Sequence, residues 1–334
     1  MNISKSIHKA INYPSSPYVP FFQKLSTKSN VVSRYHVCFS GAGHLLPYHL
    51  GVCSYLNETI HPDKRKMNIA SVSGSSSGAI AATLYALLSP SSLDSFTNQF
   101  IEQGGGGISL LQTIMQKMPR STIPKPLYIF MTPCKDSTMA CIHPFSNIQE
   151  HEMQRLFSCI QASCRIPTSF HPMDILHFHL LPSFTFFSSK LSYPESDGVT
   201  LDGISYVDGG IAAPFPNPLQ TSIVLHDRPN VKYSLNVNQK DHVIMVSPLS
   251  YTHKTNIFNA NYTRISPNDS TFSFLPNDVI VGSTSLPHNN IRPSIQNIHA
   301  LRVSMGAANK IELQQWYELG KENAKTNLSS LFKS

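Results

Sequence analysis

The sequence predicts an α/β fold in which helices flank a central, mostly parallel sheet. Two units of strand, glycine turn and helix follow each other directly between residues 35 and 88. Short connections in this order are typical of a parallel sheet covered by helices. A chain of 334 residues, 41% of them hydrophobic, is also long enough to bury a large core.

The first unit begins with YHVCFSG (Tyr35 to Gly41), an apolar, β-prone run that ends in a glycine turn. The chain continues into a helix, because apolar residues recur there at spacings of three or four. These residues are Leu46, Leu50, Cys53 and Leu56. The second unit repeats this order, with MNIASVSG (Met67 to Gly74) as the strand and SGAIAATLYALL as the helix.

The later elements follow from similar patterns. LYIFMTPCKDSTMACIHP predicts two strands joined by a polar turn at Lys135, Asp136 and Ser137, and SNIQEHEMQRLFSCIQASCRIP predicts a helix that ends before Pro167. GISYVDGG (Gly203 to Gly210) and DHVIMVSP (Asp241 to Pro248) predict short strands. Helical spacing then returns from about Ile291 to Phe332, in Leu301, Met305, Leu313, Trp316 and Leu319.

The net charge of +7 is concentrated at the N-terminus, where no acidic residue precedes Glu58. Five basic residues lie in that opening part, namely Lys5, Lys9, Lys24, Lys28 and Arg34. Residues 1–32 therefore form a basic arm whose composition fits an organellar transit peptide and a disordered tail equally well. We predict one domain over residues 33–334, C-terminal helices included. Because this domain is close to neutral, we expect no binding to nucleic acid.

The cysteines and the apolar segments indicate an intracellular protein. The six cysteines form no CxxC pair, so we expect reduced structural thiols and no metal site. No apolar run of about 18 residues predicts a membrane span. The most apolar segment is ILHFHLLPSFTFF (Ile175 to Phe187), for which a buried wall of the core is the default interpretation.

The pentapeptide GSSSG (Gly74 to Gly78) predicts a nucleophile elbow, because it stands directly between a strand and a helix. Its central serine, Ser76, would occupy a strained turn at the helix N-terminus, where free N–H groups favour developing negative charge. Gly74 and Gly78 leave room for the backbone to pass itself closely. A GxSxG pattern alone occurs by chance in roughly one of ten chains of this length, so its context carries the prediction.

Two further glycine motifs complete the candidate site. Gly41, Ala42 and Gly43 follow the strand next to the elbow strand, so their N–H groups would face Ser76 as an oxyanion hole. In YVDGG, Asp208 stands at a strand end before Gly209 and Gly210. A desolvated carboxylate there can act as the base for a serine hydroxyl.

Taken in this order, the three motifs resemble those of the patatin-like phospholipase family of lipid acyl hydrolases. FSGAGHLLPYHLGV is similar to the family's oxyanion loop, GSSSGA to its elbow and YVDGG to its Asp-Gly-Gly motif. The resemblance extends from about Val37 to Ala324 and is closest to the branch that contains adipose triglyceride lipase, which has an element like SCRIP. It implies the family's three-layer fold and a Ser-Asp dyad in which Asp208 takes the proton of Ser76. It also implies glycerolipid substrates at a membrane or lipid-droplet surface, and no cofactor.

One departure from the family pattern bears on the substrate. Leu45 and Leu46 stand where the commonest family loop has a basic residue and its last glycine. The loss of the basic residue favours neutral glycerolipids over phospholipids. The resemblance does not distinguish hydrolysis from acyl transfer, and it leaves open whether a protein activator is needed.

Two alternatives remain at this stage. A conventional Ser-Asp-His hydrolase would need a histidine after the acid, and five are available: His226, His242, His253, His288 and His299. A non-catalytic protein of the same fold that binds lipid surfaces is the second alternative. The presence of both Ser76 and Asp208 argues against it.

Overall fold

The computed structural model describes fifteen segments of the chain. They are residues 34–59, 68–117, 125–137, 140–146, 150–168, 192–213, 215–219, 223–225, 228–232, 241–250, 261–267, 279–280, 290–291, 295–306 and 308–329. The N-terminal arm and the apolar segment 175–187 lie outside these residues. The division of the chain at residues 32 and 33 stays a prediction.

The two predicted strand-helix units at the start of the domain are present, and two further helices follow them before the third strand. The strands are β1 (Arg34–Phe39), β2 (Asn68–Ser75), β3 (Leu127–Pro133), β4 (Ala140–Phe145), β5 (Val199–Leu201), β6 (Ile204–Val207), β7 (Ile223–Leu225), β8 (Arg228–Lys232), β9 (Asp241–Val246), β10 (Asn261–Ile265), β11 (Val279–Ile280) and β12 (Asn290–Ile291). The helices are α1 (Leu46–Thr59), α2 (Ser77–Leu87), α3 (Pro90–Gln103), α4 (Gly107–Lys117), α5 (Glu150–Ser163), α6 (Gly209–Ala212), α7 (Ile295–Ser304) and α8 (Lys310–Leu328).

The main sheet has the strand order β10-β9-β1-β2-β3-β4-β7-β8, and β6 pairs with both β3 and β5. The five strands from β10 to β3 run parallel, whereas β4 and β6 are antiparallel to β3. The predicted α/β fold with a central sheet flanked by helices is therefore confirmed. Because β1 and β2 are parallel neighbours, the turns that follow them emerge at the same edge of the sheet.

The two faces of the sheet are covered differently. In β1, Val37 and Phe39 point into the large core that is shared with most of the helices. Cys38 points to the opposite face, where it packs against Phe215 and Leu219. Successive side chains of a strand alternate between faces, so β1 is buried on both sides. Such a strand reads as a continuous apolar run, as YHVCF does.

Two glycines bring α1 and α8 into close contact. A Cβ atom at Gly51 would lie 2.0 Å from the carbonyl oxygen of Tyr317, and one at Gly320 would lie 2.1 Å from that of Tyr48. The two helices therefore approach each other backbone to backbone. This packing fixes α1, which directly follows the first glycine turn.

The helical C-terminal region is split into α7 and α8. Leu313 and Trp316 of α8 are buried, and a capping box at Asn309 and Glu312 starts that helix. Leu301 and Met305, which share the predicted helical spacing, are 38% and 66% exposed. These two apolar side chains are therefore not part of the hydrophobic core.

Candidate active site

Ser76 occupies a sharp turn between β2 and α2. Its backbone has φ 54° and ψ −133°, a conformation that a residue with a side chain rarely adopts. The strand ends one residue before it and the helix begins one residue after it. This is the geometry of a nucleophile elbow, with the serine at the positive end of the helix dipole.

Gly74 and Gly78 make this turn possible. A Cβ atom at Gly74 would lie 2.1 Å from the carbonyl oxygen of Gly78, and one at Gly78 would lie 2.2 Å from that of Phe39. Real Cβ atoms essentially never show such distances. The two glycines are therefore needed because the end of β2, the start of α2 and the end of β1 pass each other at backbone contact.

Asp208 follows β6 and caps the short helix α6. Its Oδ1 accepts a hydrogen bond of 2.7 Å from the N–H of Gly210, and its residue is 8% exposed. Burial raises the pKa of the Asp208 carboxyl from 3.8 to about 6, while the nearby Ser76 side chain and the N–H of Gly210 oppose this rise.

The turn at Asp208 is held by the end of β3. The hydroxyl of Thr132 donates to the carbonyl oxygen of Asp208 at 2.7 Å and accepts from the N–H of Ala212 at 3.1 Å. Gly209 must lack a side chain, because a Cβ atom there would lie 2.0 Å from the carbonyl oxygen of Phe130. At Gly210 the space is tight as well, since a Cβ atom would lie 3.0 Å from Oδ1 of Asp208.

The loop after β1 lies beside the elbow. A Cβ atom at Gly41 would lie 3.3 Å from the Cβ of Ser76, so no side chain separates the two. The N–H of Ala42 donates to the hydroxyl of Ser77 at 3.0 Å. Gly43 has φ 52° and faces the end of α7, where a Cβ atom would lie 2.2 Å from the carbonyl oxygen of Ser304.

His49 of α1 is hydrogen-bonded to the first residue of this loop, Ser40. The residue is fully buried, and its Nε2 hydrogen-bonds to the carbonyl oxygen of Ser40 at 2.9 Å, so Nε2 carries the proton. Burial lowers the pKa of His49 to about 4. The imidazole is therefore neutral near pH 7 and acts as a fixed donor.

The residues predicted for the site thus come together at one edge of the sheet. Sequence reasoning did not assign Thr132, His49 or Ser163, which bind the backbone of the site. Only Ser163 had a signal, because it lies in the SCRIP element. His44 is half-buried and packs against Gly105 and Gly306.

The two described histidines of the triad alternative lie elsewhere. His242 is at the start of β9, at the opposite edge of the sheet, where its Nε2 pairs with Oγ1 of Thr263 at 2.8 Å. His299 in α7 contacts Glu312 at 3.3 Å. The other three, His226, His253 and His288, lie outside the described residues.

Neither a membrane span nor a metal cluster is found in the described part of the chain. None of its helices is long and apolar enough to cross a membrane. Within the same residues, no three His, Cys, Asp or Glu side chains are grouped so that they could hold a metal ion. That the reaction needs no cofactor stays a prediction.

A serine beside a buried carboxylate, in a turn at the N-terminus of a helix, is an arrangement typical of serine acyl hydrolases. Residues 37–127 match the model of the patatin-like phospholipase family. The predicted resemblance is thereby confirmed over the oxyanion loop and the elbow, and it indicates a lipid acyl hydrolase. Asp208 lies beyond the matched residues, so its assignment depends on the geometry.

A crystal structure of VipD from Legionella pneumophila is among the similar solved structures, with a TM-score of 0.34 and 12% sequence identity. The similarity covers 89% of this chain and 67% of that one. At these values it supports no conclusion about function. No curated protein matches the sequence.

Proposed function

We propose that the protein is a serine lipid acyl hydrolase that cleaves fatty-acyl esters of glycerolipids through a dyad of Ser76 and Asp208. The observation that carries this proposal is the position of the Ser76 elbow beside the Asp208 turn. A Cβ atom at Gly41 of the glycine loop would lie 3.3 Å from the Cβ of Ser76 and 3.9 Å from the Cα of Gly210, so the loop packs against both. A buried carboxylate with a raised pKa is a better proton acceptor than an exposed one.

The reaction then proceeds in two steps. Ser76 Oγ attacks the ester carbonyl while its proton passes to Asp208, and the tetrahedral intermediate collapses to an acyl-enzyme as Asp208 protonates the leaving alcohol. Water attacks the acyl-enzyme in the second step, with Asp208 again accepting the proton. The fatty acid leaves and Ser76 regains its hydrogen.

The oxyanion would be bound by backbone N–H groups of the loop after β1. Among Gly41, Ala42 and Gly43, only Ala42 donates its N–H to a described residue. Gly41 and Gly43 are therefore the donors that this structure favours, and the N–H of Ser77 at the start of α2 is a further candidate. Each such donor contributes roughly 10² to 10³ in rate.

The loop favours neutral glycerolipids as substrates. Leu45 and Leu46, which replace the basic residue and last glycine of the commonest family loop, are each 1% exposed and belong to the core. The stretch from Ser40 to Leu50 contains no Lys or Arg that could bind a phosphate group. We therefore propose a triacylglycerol lipase over a phospholipase A.

Exposed apolar side chains support contact with a lipid surface near the site. Ile166, which is 60% exposed, comes directly after Arg165, whose carbonyl oxygen binds the N–H of Asp208. Met305 is 66% exposed and precedes Gly306, which packs against His44 of the oxyanion loop. We propose a peripheral position at a membrane or lipid droplet.

An intracellular location is supported by the cysteines. All six lie in the described residues as free thiols, and five of them are buried. Free buried thiols are typical of a reducing compartment. Organellar import through the arm of residues 1–32 stays open within this proposal.

The test is a profile of hydrolysis over lipid classes. Wild type, Ser76→Ala and Asp208→Asn are incubated with triacylglycerol and phosphatidylcholine emulsions, and the released fatty acids are measured. We expect fatty-acid release from triacylglycerol by the wild type and a loss of at least about 10³-fold in either variant. If Ser76→Ala retains the activity of the wild type on every lipid, the proposal is wrong.

Two further measurements address the alternatives. A fluorophosphonate probe should label Ser76 in the folded wild type, and the absence of labelling would favour a non-catalytic lipid-binding protein. Single replacements of His226, His242, His253, His288 and His299 by Ala should each leave hydrolysis within about threefold of the wild type, because a dyad needs no histidine. Loss of activity in one of them would favour the triad.

A further inference from the structure

The segment that ends α5 contacts the backbone of both proposed catalytic residues. The N–H of Ser76 donates to the hydroxyl oxygen of Ser163 at 2.9 Å. Two residues later, the carbonyl oxygen of Arg165 accepts from the N–H of Asp208 at 2.8 Å. One short stretch of the SCRIP element is therefore in position to fix the distance between nucleophile and base.

The direction of the Ser163 hydroxyl is defined by a second hydrogen bond. Its proton is donated to the carbonyl oxygen of Phe130 at 2.6 Å, which leaves a lone pair for the N–H of Ser76. Phe130 lies opposite Ser75 in the pairing of β3 with β2. Ser163 thus connects the elbow to the neighbouring strand at the point where β2 ends.

The Asp208 turn packs against the same hydroxyl. A Cβ atom at Gly209 would lie 2.9 Å from Oγ of Ser163, so the backbone after Asp208 passes directly beside it. Ser163 is fully buried, and water cannot replace its hydroxyl without opening this junction. Three backbone segments, from the elbow, β3 and the Asp208 turn, therefore meet at one side chain.

From this geometry we infer that Ser163 is a positioning residue for the Ser76–Asp208 pair. It contacts neither substrate nor reacting atoms, and it acts by holding the backbone of Ser76 in its strained conformation so that the hydroxyl points at Asp208. The inference depends on the proposed hydrolase function and adds to it a role for the SCRIP element. Without the acceptor, the N–H of Ser76 loses its partner, and the turn relaxes to regain one.

The test compares Ser163→Ala with Ser163→Thr, which keeps the hydroxyl, and with Thr97→Val. Thr97 is a matched control because its buried hydroxyl also donates to a carbonyl oxygen, that of Leu93 in α3. Active sites are counted with a fluorophosphonate, and kcat and KM for an ester substrate are then expressed per labelled site. This normalisation removes the effect of any unfolded fraction.

We expect kcat per labelled site to fall by about 10- to 100-fold in Ser163→Ala with KM within twofold of the wild type, because a small misplacement of reacting groups has this effect. The acidic limb of the pH profile should also move to higher pH. The reason is that the Ser76 side chain lowers the pKa of Asp208, and this effect weakens when Ser76 is displaced. Ser163→Thr should restore both values toward the wild type, and Thr97→Val should match the wild type.

The outcomes separate the two proposals. Wild-type kcat and pH profile per labelled site in Ser163→Ala would overturn the positioning role and leave the hydrolase proposal intact. A wild type without Ser76-dependent hydrolysis would overturn both. If Ser163→Ala does not fold, Ser163→Cys is measured in the same way, because sulfur fills the space but is a weak acceptor.

Discussion

The N–H of Ala42 is bonded to the hydroxyl of Ser77, 3.0 Å away. The predicted oxyanion loop is therefore tied directly to the residue that follows the nucleophile. Each serine of GSSSG differs in its surroundings. The N–H of Ser76 is bonded to Ser163, the hydroxyl of Ser77 accepts from the loop, and the buried hydroxyl of Ser75 has no partner among the described residues. The bond between Ala42 and Ser77 thus connects the elbow motif directly to the oxyanion-loop motif.

Removal of the Ser77 hydroxyl should loosen the oxyanion loop. We expect Ser77→Ala to lower kcat by about 10- to 100-fold, because the N–H groups of Gly41 and Gly43 then lose their fixed position. Ser75→Ala is the control, since that hydroxyl makes no bond to a described residue, and it should leave kcat within about twofold. Equal kcat values for the two variants would show that the bond to Ala42 is not needed.

The pH dependence of activity should follow Asp208. Because its carboxyl must be ionised to accept a proton and its pKa is raised to about 6, kcat/KM should fall as the pH drops through about 6. Measurement from pH 4.5 to 8.5 with a soluble ester tests this expectation. A midpoint near 4, as for an exposed carboxyl, would contradict the assignment of Asp208 as the base.

The same carboxyl should affect stability in the opposite direction: its ionised form is needed for activity but lowers the free energy of unfolding. The folded state holds the Asp208 proton up to a pH of about 6, whereas the unfolded chain releases it near 3.8, so this group destabilises the fold progressively between those values and fully above them. Asp208→Asn should therefore raise the free energy of unfolding at pH 8, by an amount on the order of 3 kcal/mol, and by less at pH 5. Urea unfolding at both pH values measures the difference, and a variant less stable than the wild type at pH 8 would contradict it.

The elbow glycines should tolerate no side chain. We expect Gly74→Ala to lower the free energy of unfolding by at least about 3 kcal/mol, because its Cβ would lie 2.1 Å from the carbonyl oxygen of Gly78. Gly104→Ala is the control, with φ 69° but open space around it, and should cost only about 1 kcal/mol of backbone strain. Urea unfolding of the two variants separates steric overlap from backbone strain.

The sequence alone predicts the parts of the candidate site that depend on local geometry. Gly74 and Gly78 mark a turn where backbones cross, and such a turn needs glycine at defined spacing from the serine. The neighbouring positions of the two glycine turns followed from the order of strands, because consecutive β-α units usually place parallel strands side by side. Residue types and the order of the strands are therefore enough to predict that the two glycine turns lie side by side.

The contacts between distant segments could not be predicted in the same way. Ser163 and Thr132 are small polar residues in apolar surroundings, and only the folded chain shows that their hydroxyls bind the backbone of Ser76 and Asp208. The engagement of Ala42 with Ser77 changes which N–H groups are available to an oxyanion, and no spacing rule contains this information. Met305 likewise has the helical spacing of a core residue, yet it is 66% exposed, and the spacing alone does not distinguish the two cases.

An ion pair between a buried aspartate and a partly exposed arginine lies at the opposite edge of the sheet from the site. Arg34 at the start of β1 donates to both carboxylate oxygens of Asp241 at the start of β9, at 2.8 and 2.7 Å. The Asp241 side chain is 1% exposed, and Nε2 of His36 is 3.6 Å from it. The pair joins two parallel strands at their first residues, near the predicted beginning of the domain.

Loss of the Arg34 side chain should destabilise the protein, because the carboxylate of Asp241 would remain buried without its bidentate partner. Because the Arg34 side chain is itself 36% exposed, solvent screens part of this loss, and we expect Arg34→Ala to lower the free energy of unfolding by roughly 1 to 3 kcal/mol, measured by urea unfolding at pH 7. Lys135→Ala is the control, since the Lys135–Glu195 pair at 2.9 Å is exposed on both sides and should contribute less than about 1 kcal/mol. Per labelled site, Arg34→Ala should retain wild-type kcat, because the pair is at the far edge of the sheet. A selective loss of kcat without loss of stability would instead place Arg34 among the residues that act on the reaction.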